Sequence, residues 1–506
     1  MKMLWTVGIA LAAFAVIVGL VYFSDGGQSD DGYMYALYTD ADSNLNVIDV
    51  YESHMENGKA TALSQRYRTS GAVGGINSQW GYNKDTGKGP FGTFYAAINL
   101  VEGHSYDADD AVEKRINSDV GAVAYILDPY DLTRTLAGHS FTPELYNVML
   151  IIPTVYWTSE KVVADETKGN LLKGTEYNVL YISSSSSYTP DGKTTIEGMV
   201  PYAHSASTVS GKTDFKTNVY PYLGIGVYES YVTMVGDAVG SGKLVSQSGR
   251  IPSSGLNVDE FKDLADALDP VEGKGLQSDY QQWNYYQWTL FRIMGYTIMG
   301  SMNAQVMVGA GYTKGNTSPA VTGSTDKVGL VGIADVTRSA TGEYSSEAGR
   351  TASKLFIENG WGSLNLFVAD AYVEGAVSSE QYLYAGNYLG GEYLLKSRNQ
   401  PPAFQQWADI FVTGEPHRVI SGMSAKAATW GTPIAANANA SAYSDPNYPG
   451  DIVNAVKNGT SSITVGGRWD NIHYAGIQFS CAGYDIALAN QFRGARLAYL
   501  MSEDAF

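Results

Sequence analysis

The chain is poor in the residues that cross-linking and catalysis draw on. Cys481 is the only cysteine among 506 residues, so no intramolecular disulfide can form and an exported region must be held by its core alone. Histidine occurs six times, at His54, His104, His139, His204, His417 and His473, and none of these has a short metal-ligand spacing. Neither a metal site nor a cofactor is expected. Charge is also sparse, at 17% of residues, and unbalanced: 33 basic residues face 51 acidic ones, a net charge of −18. A field of that sign repels phosphate backbones, which argues against nucleic acid as a partner. What is plentiful is glycine (56) and tyrosine (37), a composition of turns, strands and amphipathic aromatic surface rather than of long solvated helices. Tyrosine ordinarily fills half-buried sheet faces, but it also supplies stiff contact area at binding surfaces.

One long hydrophobic run is present, Leu4 to Phe23, which holds 20 residues without a charge. At about 1.5 Å per residue such a helix crosses a hydrocarbon core of about 30 Å. Lys2 precedes it and Asp25, Asp30 and Asp31 follow, so the positive-inside rule puts residues 1–3 in the cytoplasm and the rest outside. The alternative is a cleaved signal peptide, but the exit Leu20-Val21-Tyr22-Phe23-Ser24-Asp25 lacks the small-residue pair of a cleavage site. The expectation is a single-pass cell-membrane protein with residues 4–23 in the bilayer, a spacer with short strands at 24–80, and an extracellular body at 81–501. Asn316, Asn439 and Asn458 lie in Asn-x-Ser/Thr patterns compatible with surface glycosylation.

Within the spacer, Tyr33 to Tyr51 reads as a hairpin. Val148 to Ile152, ended by Pro153, reads as a short buried strand. Residues 183–193 form a loop by composition. Asn257 with Glu260 three residues later has the pattern of a capping box, and Leu256 and Phe261 occupy the flanking staple positions. Phe261, Leu264, Ala265 and Leu268 make one apolar face of that helix, which Pro270 ends. A second helix is expected over Asp279–Met299; Asp279, Asn284 and Arg292 interrupt its apolar run, which marks a buried core helix rather than a second membrane span.

Two phosphate- or metal-like patterns fail on inspection. Asp40, Asp42, Asn44 and Asn46 have the spacing of a calcium loop, but Leu45 stands where glycine is needed and Tyr51 where glutamate is needed. Residues 236–243 resemble a phosphate loop but have the wrong glycine spacing and Leu244 in place of a hydroxyl residue.

The end of the chain, residues 465–499, has a different character. Gly466, Gly467, Trp469, Ala475, Gly476, Phe479 and the run Gly494 to Tyr499 form a frame of small, aromatic and apolar positions around one arginine. Between them stand Arg468, Asp470, Asn471, His473, Tyr474, Gln478, Ser480, Cys481, Tyr484, Asp485 and Ile486, which share no charge, size or polarity. Catalysis demands particular residues at particular places, whereas a recognition surface asks for a rigid support and adaptable contacts. Cys481 has no histidine or acid at motif spacing, so a nucleophilic role is not expected.

Several segments now fall into a known order: residues 121–129 (GAVAYILDP), 148–157 (VMLIIPTVYW), 222–232 (YLGIGVYESYV), 242–252 (GKLVSQSGRIP), the two helices, 300–311 (GSMNAQVMVGAG), 357–375 (IENGWGSLNLFVADAYVEG) and the closing GGRW, AG, F and GARLAY. In that order the chain resembles the variable proteins of diversity-generating retroelements and related phage receptor-binding proteins. These carry a C-type-lectin fold of the formylglycine-generating-enzyme (sulfatase-modifying) type. One departure is Ser363-Leu364-Asn365-Leu366, where that family often has Gly-Asn-x-Trp. The resemblance implies an α+β, C-type-lectin-like ectodomain whose variable region, 465–499, meets an extracellular protein or glycan through the eleven residues named above. Most of them are reachable from an asparagine codon by adenine changes, as such retroelements require; Gln478 is not readily reached. The enzymes of the superfamily use a cysteine pair that a single cysteine cannot supply, and no enzymatic activity is expected. An adhesin-like or structural surface protein without a diversified site, and an exported enzyme of the same superfamily, remain the alternatives.

Overall fold

The computed structural model describes residues 33–40, 49–56, 59–60, 64–65, 89–99, 124–141, 143–163, 176–187, 195–205, 215, 218–233, 242–268, 279–299, 303–313, 316–336, 350–375, 381–386, 405–411, 418–423, 427–429, 433–435, 452–454, 459–471 and 474–501. Strands dominate, and the α-helices among these residues are Val258–Asp266, Tyr285–Met299 and the single turn Ala304–Met307. The expected α+β balance therefore gives way to a mostly β chain with few helices. Residues 4–23 lie outside the described set, and no helix within it is long and apolar enough to cross a membrane.

The central layer is a seven-stranded antiparallel sheet in the order Asp279–Gln282, Leu497–Met501, Tyr222–Gly226, Tyr146–Pro153, Phe94–Asn99, Ala124–Asp128, Asp131–Thr135. Successive side chains of a strand point to opposite faces, and here both faces are dry. Tyr95, Ala97, Val148, Leu150, Ile152, Leu223, Ala498 and Leu500 join one core cluster with the helix Tyr285–Met299. Phe94, Ala96, Ile98, Met149, Ile151, Leu497, Tyr499 and Met501 join another, which includes Phe261 and Ala265 of the helix Val258–Asp266. Covering on both sides explains why Val148–Ile152 is a continuous apolar run rather than an alternating one.

Both helices follow from local signals, one of which the sequence reading missed. The capping box at Asn257 forms in both directions: Glu260 N–H donates to Asn257 Oδ1 at 3.0 Å and Asn257 N–H to Glu260 Oε2 at 2.8 Å. Leu256, Leu264 and Leu268 pack against the same cluster as Phe261. The second helix starts at Tyr285, not Asp279. Asn284 Oδ1 accepts from the Tyr286 and Gln287 amides at 3.0 Å each, and the Asn284 amide donates to Gln287 Oε1 at 2.9 Å, a second reciprocal cap. Ahead of it, residues 279–282 pair with Leu497–Met501 as an edge strand, and Tyr280 stacks on Tyr499 with 3.8 Å between ring centroids. All fifteen residues of the helix are buried. Arg292 is accommodated there by stacking on Trp288 at 3.7 Å and donating to Thr289 Oγ1 at 3.0 Å. Gly295 has a packing reason: a Cβ there would meet Leu355 Cδ2 at 2.8 Å and Ile477 Cδ1 at 3.0 Å.

The Tyr33–Asp40 and Asp49–Glu56 hairpin is present, and it continues into the body by pairing with Glu176–Ser183. A further nine-stranded sheet includes Gln381–Ala385, Asn365–Gly375, Gly459–Val465 and Ser480–Cys481 in that order, with Arg493–Gly494 added in parallel to Asn365–Leu366. This sheet carries the C-terminal segment. Asn316 is buried, which removes it as a glycosylation site, because an acceptor amide must reach solvent. Asn439, Asn458 and the calcium-like loop at 41–48 lie outside the described residues.

Candidate binding surface

The support beneath residues 466–494 is a strained segment. Phe356, Asn359, Ser363 and Asp370 all adopt positive φ, between 48° and 62°. Such residues persist only where surrounding contacts over-determine them, and the backbone here is tied accordingly. Phe356 N–H donates to Leu330 O at 2.8 Å, Asn359 N–H to Ser353 O at 2.8 Å and Ser363 N–H to Tyr312 O at 2.9 Å. The departing strand Asn365–Gly375 shifts register against Gly459–Val465 between Val368 and Tyr372, around Asp370.

The frame residues lock onto this support. Gly466 and Gly467 have φ of 85° and 82°, a region open to glycine at little cost. Space is equally decisive, since a Cβ at Gly466 would lie 2.9 Å from Gly360 O and one at Gly467 2.5 Å from Ala475 Cβ. Trp469 and Phe479 are buried, at 4% and 2% exposure. The Trp469 amide donates to Ser363 O at 3.1 Å, Gly476 N–H to Gly466 O at 3.1 Å and Gln305 Nε2 to Ala475 O. Arg496, fully buried, donates through Nη1 to Gly226 O and Val227 O at 2.8 and 2.9 Å and through Nη2 to Glu358 O and Asn359 O at 2.7 and 3.0 Å. One guanidinium thus ties the central sheet to the strained support.

Arg496 sits in a buried charged network. Glu358 accepts from the Gly323 and Thr325 amides and the Thr325 hydroxyl at 2.7–2.8 Å, and Glu229 accepts from the Leu364 amide at 2.9 Å. Asp326 accepts from Ser248 Oγ at 2.7 Å and from the Tyr228 hydroxyl. Burial outweighs these bonds: it pushes Glu229 up to about 8 and, with the Asp326 charge adding, Glu358 up to about 7. Burial likewise pulls Lys354 down to about 8 and Arg496 to about 10, against the nearby carboxylates. A network so enclosed holds the fold together rather than facing a ligand.

The decorating residues divide. Asp470 and Asp485 are exposed, and Arg468, Asn471, Tyr474 and Tyr484 are half-buried. Arg468 bonds Asp470 through Nε at 2.6 Å and lies 3.8 Å over the Phe492 ring, while Asn471 Oδ1 accepts the Arg468 amide at 2.8 Å. Tyr474 and Tyr484 pack against Phe479 and Cys481. Asp485 Oδ1 accepts the Ala487 amide at 2.9 Å, opening an exposed loop of Ala487, Leu488 and Ala489.

Four of the expected contact residues do not join them. Ser480 and Cys481 are buried as a two-residue strand between Gly459–Val465 and Ile452–Asn454, because both of its edges are paired. Gln478 is enclosed in the tight turn from Gly476 to Phe479, and Ile486 points into the core cluster that holds Phe367 and Tyr372. As contacts on the folded surface these four are corrected, and of the remaining described residues two are exposed and four half-buried. His473 lies outside the described residues. Phe492 and Arg493 were missed: Arg493 places its guanidinium 4.1 Å over the Tyr484 ring and donates to Leu488 O at 3.3 Å. No local pattern marks either residue, because their partners come from other turns of the segment.

No protein-family profile and no curated protein matches the chain. Among solved structures, the Major Tropism Determinant P3c variant matches over 92% of this chain and 86% of its own, at 10% identity and a TM-score of 0.26. The U1 and M1 variants match over 83% and 84% of their lengths, each at 10% identity and a TM-score of 0.25. Superposition at this level assigns neither a fold nor a function.

Proposed function

We propose that this is a cell-surface binding protein of C-type-lectin-like fold, held in the membrane by residues 4–23, whose ectodomain meets an extracellular macromolecule through the surface around Arg468, Asp470, Asn471, Tyr474, Tyr484 and Asp485. The observation that carries the reading is the division of the C-terminal segment. Its frame residues are clamped into the core, while six chemically unlike side chains between them stand at or near the surface and four others are buried. A rigid support lowers the ordering cost of binding, about 0.5–1.5 kcal/mol for each side chain immobilised. The variable-protein resemblance of residues 81–501 points the same way, and a reverse-transcriptase gene beside a near-copy of the region coding for 465–499 would mark the site as diversified.

Two experiments test the reading. Protease applied to intact cells digests an outward ectodomain, whereas release of a soluble protein beginning near Ser24 removes the anchor. Cells displaying the full chain are then screened for adhesion to a panel of cell surfaces. Adhesion that survives Asp470→Ala, Tyr474→Ala and Tyr484→Ala combined removes the binding role of this surface.

A further inference from the structure

Among the described residues, Arg493 is a weakly compensated buried charge. The residue is 1% exposed, yet its guanidinium has no carboxylate partner among the described residues, only Leu488 O at 3.3 Å and the rings of Tyr484 and Phe367 at 4.1 and 5.5 Å. Buried charges are normally paired or hydrogen-bonded on all sides, because desolvation of an ion exceeds what ring contacts return. Arg496, three positions later, spends its two terminal nitrogens on four carbonyl bonds, with its Nε unbonded among the described residues; Arg493 has a single carbonyl bond among them. Burial dominates its electrostatics and draws its pKa below the ordinary arginine value, with Cys481 and Tyr484 acting against that and Arg468 adding repulsion. The Arg468 charge is already met by Asp470. What lies over Arg493 is the half-buried Tyr484, beside the exposed loop whose carbonyl Arg493 holds.

We propose that Arg493 is an anion subsite of the binding surface, completed by the carboxylate of an acidic side chain on a protein partner that enters beside Tyr484 and lies against Leu488. The planar guanidinium fork suits a carboxylate. A protein is favoured over an acidic glycan because the flanking loop presents Ala487, Leu488 and Ala489 to solvent, with Leu488 at 36% exposure, an apolar patch that suits the side chains around an acidic residue of a protein. The net charge of −18 disfavours anions at long range, but screening confines that effect to about 8 Å at physiological salt, leaving the local cation to decide.

This inference rests on the binding reading above, and its test is separable from it. The purified full chain is titrated with glutarate as a mimic of an acidic side chain, with glucuronate for a sugar acid, and with inorganic phosphate, by calorimetry. In parallel, the Arg493 Nε–H resonance is followed in arginine-labelled wild-type protein, assigned by its loss in Arg493→Lys. Saturable glutarate binding that moves this resonance, and that weakens at least tenfold in Arg493→Met, is the expected result. Should Arg493→Met fail to fold, the wild-type resonance decides alone. No saturable glutarate binding, or binding that leaves the resonance unmoved, overturns the subsite. Tighter binding of glucuronate or phosphate overturns the assignment to a protein side chain. If glutarate fails while adhesion still depends on Asp470, Tyr474 and Tyr484, only the subsite falls; if adhesion is insensitive to those three, the binding reading falls with it.

Discussion

Arg496 and Arg493 lie three residues apart, both buried, and they could hardly be treated more differently. Arg496 spends its donors on four carbonyls and has Glu229 and Glu358 nearby. Among the described residues, Arg493 has one carbonyl and two rings. The first region is closed, its cation enclosed among four carbonyls and two carboxylates. The second lacks a carboxylate among the described residues and is covered by Tyr484, with the exposed loop beside it. A buried arginine therefore carries no single meaning; its partners decide what it does.

The contrast breaks most visibly if Arg496 is replaced. Arg496→Leu orphans four carbonyls and removes the cation beside Glu229, leaving Lys354 beside Glu358, and unfolding measured by denaturant should show a loss of about 3–5 kcal/mol. Arg496→Lys should recover little of it, because a single ammonium cannot span the same four acceptors. A well-folded Arg496→Leu protein would show that the closed region is not closed.

Next come Trp469 and Phe479, where truncation to alanine should cost about 3–5 kcal/mol through lost burial and a cavity. Melting curves that match wild type would move both residues from frame to decoration.

A smaller effect sharpens the closed side through pH. Folding raises Glu229 from 4.5 to about 8 and Glu358 from 4.5 to about 7, so the folded state favours the protonated acids. The corresponding stability is complete below about pH 4.5 and is lost as pH rises through 7 and 8. Two groups work the other way: Lys354, lowered from 10.5 to about 8, as pH climbs from about 8 toward 10.5, and buried His204, lowered from 6.5 to about 4, as pH climbs from about 4 toward 6.5, where it offsets one of the two acids. Denaturant titrations between pH 5 and 7.5 should show declining stability, with a slope of at most about 1.4 kcal/mol per pH unit for each acid. Glu229→Gln should flatten the slope while preserving the fold. A slope unchanged by that substitution would exclude Glu229 as its source.

The smallest expected effect is in the second region. Asp470→Asn, Tyr474→Phe and Tyr484→Phe should shift stability by no more than about 0.5 kcal/mol while changing adhesion. A drop of several kcal/mol in urea unfolding at any of the three would place that residue in the frame.

Much of the frame was legible in the chain itself. Asn257 and Glu260 announce a helix start because a capping box acts within one turn, and Val148–Ile152 announces a buried strand because an unbroken apolar run needs cover on both faces. Gly466 and Gly467 stand out for the same reason: only a backbone requirement explains two adjacent glycines beside a buried tryptophan. The Asn284 cap was equally local and was overlooked under a longer apolar pattern, which carried the expected helix back into the edge strand at 279–282.

The decoration was another matter. Nothing near Ser480 or Cys481 says that both edges of so short a strand are paired, since its neighbours include residues 452–454 and 459–465. Ile486 turns inward because Phe367 and Tyr372 are there to receive it, and Arg493 reaches Tyr484 and Leu488 only after the segment has folded back on itself. Composition, charge, caps and turn glycines are decided by forces acting over a few bonds, so the sequence alone determined them. Which of the unlike residues face solvent, and which cation has no carboxylate among the described residues, depends on burial among chain segments far apart in order, and that only the tertiary structure decided.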